Sequence, residues 1–322
     1  MSIPVVVPAV VAELVRSGFV EGHHYGSVVA LDRDGAVDWS VGSVDQPILP
    51  RSSNKPLQAL AMVRLGLDLP PDLLALACAS HSGEAFHLDG VRQILTGVGL
   101  TEEALQTPPD FPLGEAERDA AVAAGEQRSS LQMNCSGKHA AMLATCVANG
   151  WDTNTYLDPE HPLQQATRAT FEELTGEAAS VAVDGCGAPL LSTSLTGLAR
   201  AFRILAVADD GPERRVADAI RRYPAWVSGT RRDERALLAA IPGSIGKMGA
   251  ESCFALALDD GRAFALKVDD GAMRAWPVVL IAALRRTGVD REPGVDGDAV
   301  RRIGEAPLLG GGRHVGEIRA VL

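Results

Sequence analysis

Strand-like runs sit at the two ends of this chain and helix-like runs fill its middle. Such a chain cannot wind an alternating parallel sheet, because its strands and helices do not alternate along the sequence. Near the N-terminus, residues 25–31 read as a strand, Asp32-Arg33-Asp34-Gly35 as a turn and residues 36–41 as the returning strand. Near the C-terminus, residues 253–258 and 263–268 form a second hairpin around Asp259-Asp260-Gly261-Arg262, and residues 315–322 read as a last strand. Between these ends the apolar spacing predicts helices over 71–79, 86–96, 102–106, 115–124, 136–149 and 161–174, with Gly176 as a stop. A short strand at 179–183 follows, then helical segments near 190–202, 213–222 and 231–240, a glycine-rich loop at 242–249, and a helix over 272–286. One further helix opens near Ser52, with Pro56 in its first turn, where proline is tolerated. The expected architecture is α+β. An antiparallel sheet is formed from both termini (about 1–65 and 245–322) with flanking helices, and a mainly helical region spans about 66–244, all within one domain of 322 residues.

Composition narrows the partners. The apolar fraction of 46% supplies a core, and the net charge of −11, with no basic block or stripe, argues against nucleic acid and anionic membrane. No apolar run approaches the ~18 residues of a membrane span. The N-terminal Met-Ser-Ile-Pro-Val-Val-Val-Pro lacks a positive n-region, which reads as a cytoplasmic start rather than a signal peptide. Five widely spaced cysteines, an odd number, do not make a disulfide framework. An apolar hairpin and scarce surface lysine are compatible with a homodimer, the expected assembly.

Of the 30 basic residues only four are lysine, Lys55, Lys138, Lys247 and Lys267, leaving 26 arginines. Arginine keeps its proton in a protein, whereas a lysine amine can act as base, nucleophile or ligand. Where lysine survives in such a chain, amine chemistry is the first expectation. Structural ion pairs are the plainer reading.

Five constellations carry the chemistry. In Ser52-Ser53-Asn54-Lys55, the serine and lysine are three apart, hence one turn apart on a helix face. A free amine there can take the hydroxyl proton and make Ser52 a nucleophile, as Ser-x-x-Lys does in acyl transfer. The plain alternative is an N-cap serine beside a solvent-facing lysine. The small, polar run Cys78-Ala79-Ser80-His81-Ser82-Gly83-Glu84 is either an active-site turn or a capping turn. Asn134-Cys135-Ser136-Gly137-Lys138-His139 puts Cys135 and Lys138 on one face, as a reactive thiol or a metal site. Cys78 and Cys146, on apolar helices, read as packing residues. In Asp184-Gly185-Cys186-Gly187, glycines let backbone approach a ligand, and Asp184 could hold an ammonium group. Lys267 interrupts an apolar strand and either faces solvent or enters a site, and Lys247 is equally readable as an exposed loop residue. No dinucleotide fingerprint, phosphate-binding loop or common zinc-hydrolase motif occurs.

Together these segments, with Arg51-Ser52-Ser53-Asn54-Lys55-Pro56-Leu57-Gln58 and Gly246-Lys247-Met248-Gly249-Ala250-Glu251, resemble the asparaginase II family, the rhizobial-type or class 3 L-asparaginases. The matches run in order from about residue 23 to 267. The resemblance implies a fold similar to serine β-lactamases, penicillin-binding proteins and glutaminases, and hydrolysis of L-asparagine to aspartate and ammonia. It pairs Ser52 with Lys55 and Ser80 with Lys267 as two serine–lysine tandems, with Ser82 a neighbouring candidate for the Ser80 position. It implies one zinc ion held by Cys135, Lys138 and Cys186 with water. It places Arg51, Asp184 and Cys253 in or near the site, where Asp184 and Arg51 would anchor the substrate's α-ammonium and α-carboxylate. Lys267 is followed by Val-Asp rather than Thr-Gly, a departure that counts against β-lactam chemistry. The expected activity is an asparaginase working through an acyl-enzyme. A related serine–lysine amidohydrolase, such as a glutaminase or β-lactamase-like enzyme, and a non-catalytic zinc- or amino-acid-binding protein are the alternatives.

Overall fold

The structure is a computed structural model that describes residues 9–322, so the reading of the first eight residues lies outside it. The chain opens with β1 (Ala9–Arg16), β2 (Phe19–Leu31) and β3 (Val37–Val41). A 3-10 turn over Arg51–Asn54 runs straight into α1 (Lys55–Arg64), followed by α2 (Pro71–Ala77), α3 (Ala85–Gly97), α4 (Glu115–Ala123), α5 (Ser136–Asn149) and α6 (Pro162–Thr175). The hairpin β4 (Val181–Val183) and β5 (Pro189–Leu191) precedes α7 (Leu195–Val207), α8 (Gly211–Arg222), α9 (Pro224–Val227) and α10 (Asp233–Ala240). The chain closes with β6 (Ile245–Gly249), β7 (Cys253–Ala257), β8 (Ala263–Val268), α11 (Trp276–Arg286), α12 (Gly297–Ile303), β9 (Pro307–Gly310) and β10 (Arg313–Ala320). Two compact units result. One comprises the described residues up to Ser53, with Thr193–Val207 and Ala236–Leu322; the other comprises Asn54–Ser192 and Ala208–Arg235.

The first unit holds the antiparallel sheet, ordered β6-β7-β8-β2-β1-β10-β9 with β3 added alongside β2. Both termini contribute to it, as the sequence pattern implied. The long β2 makes this possible. Its first half pairs with β1 and its last four residues with β3, while Gly26–Leu31 pair with β8 on the other edge. Every residue of β7 is buried, and all but Lys267 of β8, so these strands read as continuous apolar runs. The cause is cover on both faces, where α7 and α11 pack against β8.

Four strands were not expected: β1, β5, β6 and β9. β1 follows the apolar N-terminal stretch, β5 opens a segment that reads as helical, β9 lies in a stretch to which no element was assigned, and β6 occupies what reads as a glycine-rich loop. Glycine weakens an isolated strand, but here it is needed for a close approach. A Cβ on Gly249 would lie 2.4 Å from the Pro50 carbonyl oxygen and 3.1 Å from the Ser53 nitrogen. Glycine therefore lets the end of β6 press against the segment that carries Arg51 and Ser52.

The second unit is mainly helical, with α5 packed against α1, α2 and α3. Its first eleven residues, Ser136 to Cys146, are all buried, which is why polar side chains on it must find partners inside. The N-terminus of α5 lies hard against α2, where a Cβ on Gly137 would meet the Leu76 carbonyl oxygen at 2.6 Å. Gly176 ends α6 with φ +72, the left-handed stop expected. Two helix expectations are corrected. Residues 102–106 form only a 3-10 turn, Glu102–Ala104, and the segment from 190 begins as β5 before α7 starts at Leu195. β-Bridging by Pro189–Leu191 wins there over helical spacing. No helix among the described residues is long and apolar enough to cross a membrane.

Candidate active site

The lysines sort by burial. Lys55 and Lys138 are 1% exposed and Lys247 is 0% exposed, so three of the four are core residues. Lys247 is therefore not the exposed loop residue that the sequence allowed. It lies on β6, and its Nζ donates to the Met248 carbonyl at 3.1 Å.

In the helical unit, Lys55 is the first residue of α1 and its amine is ringed by acceptors. Nζ lies 3.0 Å from Ser80 Oγ and 3.1 Å from Cys135 Sγ, and it also donates to the Ala79 carbonyl. The Ser80 segment is held extended from both sides. Ser80 and Ser82 donate their N–H groups to Val227 and Ser228, while His81 donates to Asn134. The unit thus brings Lys55, Ser80 and Cys135 together. Residue spacing pairs Lys55 with Ser52 instead. The contact with Ser80 spans 25 positions and is set by how α1 packs, so no local signal could have found it.

Beside this trio lies the second lysine–cysteine pair. Lys138 Nζ is 3.3 Å from Cys186 Sγ. Cys186 sits in a tight turn where Asp184 N–H bonds Ala188 O and Gly187, at φ +87, donates back to Asp184 O. Asp184 Oδ1 accepts from the Gly185 N–H at 2.9 Å, and its other oxygen is 3.9 Å from Cys186 Sγ. Cys135, Cys186, Met133 and Ala188 pack as one buried cluster.

The two thiols share their protons unequally. A hydrogen bond from Cys135, helped by the Lys138 ammonium and the His139 ring, pulls the Cys186 thiol far below its ordinary range. The same hydrogen bond, together with burial, pushes Cys135 well above its own. Burial works to depress Lys138, but Cys186, Cys135 and Asp184 outweigh it and hold the amine protonated. The arrangement is one thiolate matched to a buried ammonium. His139 is an unforeseen member. Its Nδ1 lies 2.7 Å from Tyr156 Oη, which also accepts the Gln106 N–H at 3.2 Å. Burial lowers His139 to about 4, so the ring is neutral. His139 stood in the motif, but nothing in the sequence tied it to Tyr156.

The sheet unit carries the remaining candidates. Ser52 is half-buried in the 3-10 turn. Arg51, just before it, adopts φ +53, and Glu251 and Ser252 adopt φ +58 and +53. Left-handed backbone costs a non-glycine residue roughly 1–2 kcal/mol. Ser17, at φ +51 in the β1–β2 turn, is the fourth such residue of this unit, and Arg51, Glu251 and Ser252 are the three that fall in or beside the predicted site segments. Arg51 Nη1 lies 3.8 Å from Glu251 Oε1. Lys267, half-buried on β8, donates to the Glu251 and Val268 carbonyls at 2.6 and 2.7 Å. Cys253 is fully buried 3.6 Å from Ser53 Oγ, and burial pushes its thiol up to about 11. Arg51, Cys253 and Lys267 therefore belong to one structural unit, and Lys55, Ser80, Cys135, Lys138, Asp184 and Cys186 to the other. Cys78 and Cys146 are buried packing residues, and among the described residues none of the five cysteines is in a disulfide.

A metal ion can be tested against this donor set. Among the described residues no three His, Cys, Asp or Glu side chains converge as a metal site. Two cysteines and an amine do converge, at Cys135, Cys186 and Lys138. Two sulfurs and a nitrogen suit zinc, although lysine is an uncommon ligand and the protons held on Cys135 and Lys138 would have to leave before those two atoms could bind it.

The curated proteins searched contain no match to the chain. Among solved structures it is similar to the native form of Mglu, at 15% identity and a TM-score of 0.44, over 85% of this chain and 66% of that one, just under two thirds of its length. It is also similar to EstCE1, a hydrolase with promiscuous acyltransferase activity, at 13% identity and a TM-score of 0.41, over 87% of this chain and 93% of that one. A third is the Bacillus subtilis glutaminase YbgJ in covalent complex with 5-oxo-L-norleucine, at 14% identity and a TM-score of 0.37, over 80% and 88% of the two chains. The family match is of a different kind, since L-asparaginase II aligns with residues 12–320, nearly everything the structure describes. By that match, and in keeping with the motifs and their order, the chain belongs to the L-asparaginase II family.

Proposed function

We propose that this amidohydrolase hydrolyses L-asparagine to L-aspartate and ammonia through a serine acyl-enzyme with a lysine as its base. The observation that carries this reading is the buried Lys55 amine, 3.0 Å from the Ser80 hydroxyl. In free-base form Lys55 accepts a serine proton as the hydroxyl attacks the side-chain amide carbonyl. Protonated Lys55 then returns that proton to the leaving nitrogen, ammonia departs, and water releases aspartate. Two serines can carry the acyl group. Ser52 is the first assignment from Ser-x-x-Lys spacing, with Ser80 and Lys267 relaying protons. Ser80 is the second, favoured by its contact with Lys55. Asp184 would hold the substrate's α-ammonium and Arg51 its α-carboxylate, and Cys253 is assigned to the site, the roles that the family resemblance gives them. Cys135, Lys138 and Cys186 would hold zinc, which when bound supplies a fixed positive charge for polarising or orienting substrate. A homodimer in the cytoplasm is part of the same reading, and the lack of disulfides among the described cysteines is compatible with that location.

The test compares ammonia release from L-asparagine and L-glutamine with hydrolysis of a chromogenic β-lactam. Asparagine turnover exceeding the others by at least tenfold supports the reading; glutamine preference replaces it with a glutaminase. Asparagine binding without turnover replaces it with a binding protein. Mass mapping of a covalent adduct formed with 6-diazo-5-oxo-L-norleucine assigns the acylated serine.

A further inference from the structure

We propose that His81 is a positioning residue that rivets the Ser80 segment to the cysteine-bearing turn at the head of α5. This rests on the amidohydrolase reading of Ser80 and Lys55. His81 is 0% exposed and makes two connections to the Asn134–Ser136 turn. Its backbone N–H donates to Asn134 O at 3.1 Å, and its ring Nε2 lies 2.8 Å from Ser136 Oγ.

The direction of the second bond follows from elimination. Ser136 Oγ lies 2.7 Å from the Leu131 carbonyl, which can only accept, so the one hydroxyl proton of Ser136 is committed there. His81 must then donate from Nε2, which fixes the tautomer and leaves Nδ1 bare. Among the described residues Nδ1 indeed has no hydrogen-bond partner. The ring face is clamped as well. It stacks on His87 with centroids 5.2 Å apart and planes 21° apart, and His87 is itself held by its Nε2 donating to Ala225 O at 3.0 Å.

The consequence concerns geometry. Ser80 precedes the rivet by one residue and Cys135 precedes Ser136 by one. Lys55 Nζ must reach both Ser80 Oγ and Cys135 Sγ, at 3.0 and 3.1 Å. A chain His81 Nε2–H to Ser136 Oγ–H to Leu131 O therefore sets the gap that the amine bridges. His81 touches none of the reacting atoms and acts through Ser80.

The experiment is a kinetic cycle on the full chain, with ammonia release from L-asparagine (or from L-glutamine, if that is the better substrate) as readout. Ser136→Ala and His81→Leu are each expected to lower kcat by ~10- to 100-fold, the scale of a small misplacement of reacting groups, with KM within about threefold. The double variant is expected to be no worse than the poorer single one, because both break the same bond. His81→Gln, whose side-chain amide can donate to Ser136 from a similar distance, is expected to recover most of the loss. A long-range ¹H–¹⁵N correlation is expected to show His81 neutral and protonated on Nε2, with the signal shifted in Ser136→Ala. Ser136→Ala is a small change at a helix start, so it keeps the test open if His81→Leu fails to fold. An active wild type with wild-type kcat in Ser136→Ala, or fully additive losses in the double variant, overturns the rivet. A folded wild type that hydrolyses no amide overturns the amidohydrolase reading instead, and with it the role of Ser80 that the rivet serves.

Discussion

Burying a lysine amine costs several kcal/mol unless acceptors surround it, and three of the four lysines here are buried. Lys55 is surrounded by a carbonyl, a hydroxyl and a thiol, and Lys138 by a thiolate and the Asp184 charge. An arginine at either position would bring a larger, permanently charged fork that neither accepts a proton nor offers a lone pair. The cysteines divide in the same way. Cys186 is a thiolate held by its neighbours, whereas burial pushes Cys253 and Cys146 up to about 11. At pH 8 only on the order of one in a thousand of the latter two is ionised, since each unit is tenfold. Peptide mapping after iodoacetamide treatment of the native protein is expected to find Cys253 and Cys146 unmodified at pH 8, with labelling appearing only as pH climbs towards 11 or after unfolding. Ready labelling of either at pH 8 would contradict the burial argument.

At the scale of elements, the site depends on close backbone approaches that only glycine allows. Gly137→Ala would drive a methyl group into the Leu76 carbonyl, 2.6 Å away, and neither α2 nor α5 can yield without moving Cys135 or the Ser80 segment. A loss of about 1–3 kcal/mol is expected, readable as a lower urea midpoint with unchanged slope. Gly249→Ala would press on Pro50 and Ser53 and is expected to reduce turnover through the Arg51–Ser53 turn. A wild-type urea midpoint in Gly137→Ala would show that the two helices give way easily. These approaches explain what could be read in advance. The strands of the two hairpins and α5 were legible because their patterns are local. β6 was not, because Gly246 and Gly249 look like a loop until the neighbouring segment that requires them is seen. The Lys55–Ser80 contact was hidden for the same reason, since helix packing rather than spacing creates it. The lysine scarcity did reach across scales, for it singled out all four lysines before any fold was known, and Lys55, Lys138 and Lys247 prove to be buried.

For the whole molecule, the buried histidines tie stability to pH. Desolvation, the largest cause, lowers His87 to about 4 from 6.5 and takes His81 well below its ordinary value. Both are neutral in the folded protein and charge readily once unfolded. The unfolded state therefore binds more protons below pH 6.5, and stability falls as pH drops from 6.5 towards 4. For His87 alone the full loss is about 3 kcal/mol, at 1.36 kcal/mol per unit. Urea denaturation at pH 7.5 and pH 5 is expected to show the wild type losing stability and His87→Gln losing less. Equal losses would mean that His87 is not the titrating group.

The central claim is that a lysine amine, not merely a positive charge, drives amide hydrolysis. The most direct measurement is ammonia release from L-asparagine by wild type and Lys55→Arg, both checked for folding by circular dichroism. The account predicts an active wild type and a loss of at least ~100-fold in kcat for Lys55→Arg, the scale of a removed general base. Arginine supporting turnover at the wild-type rate would contradict it.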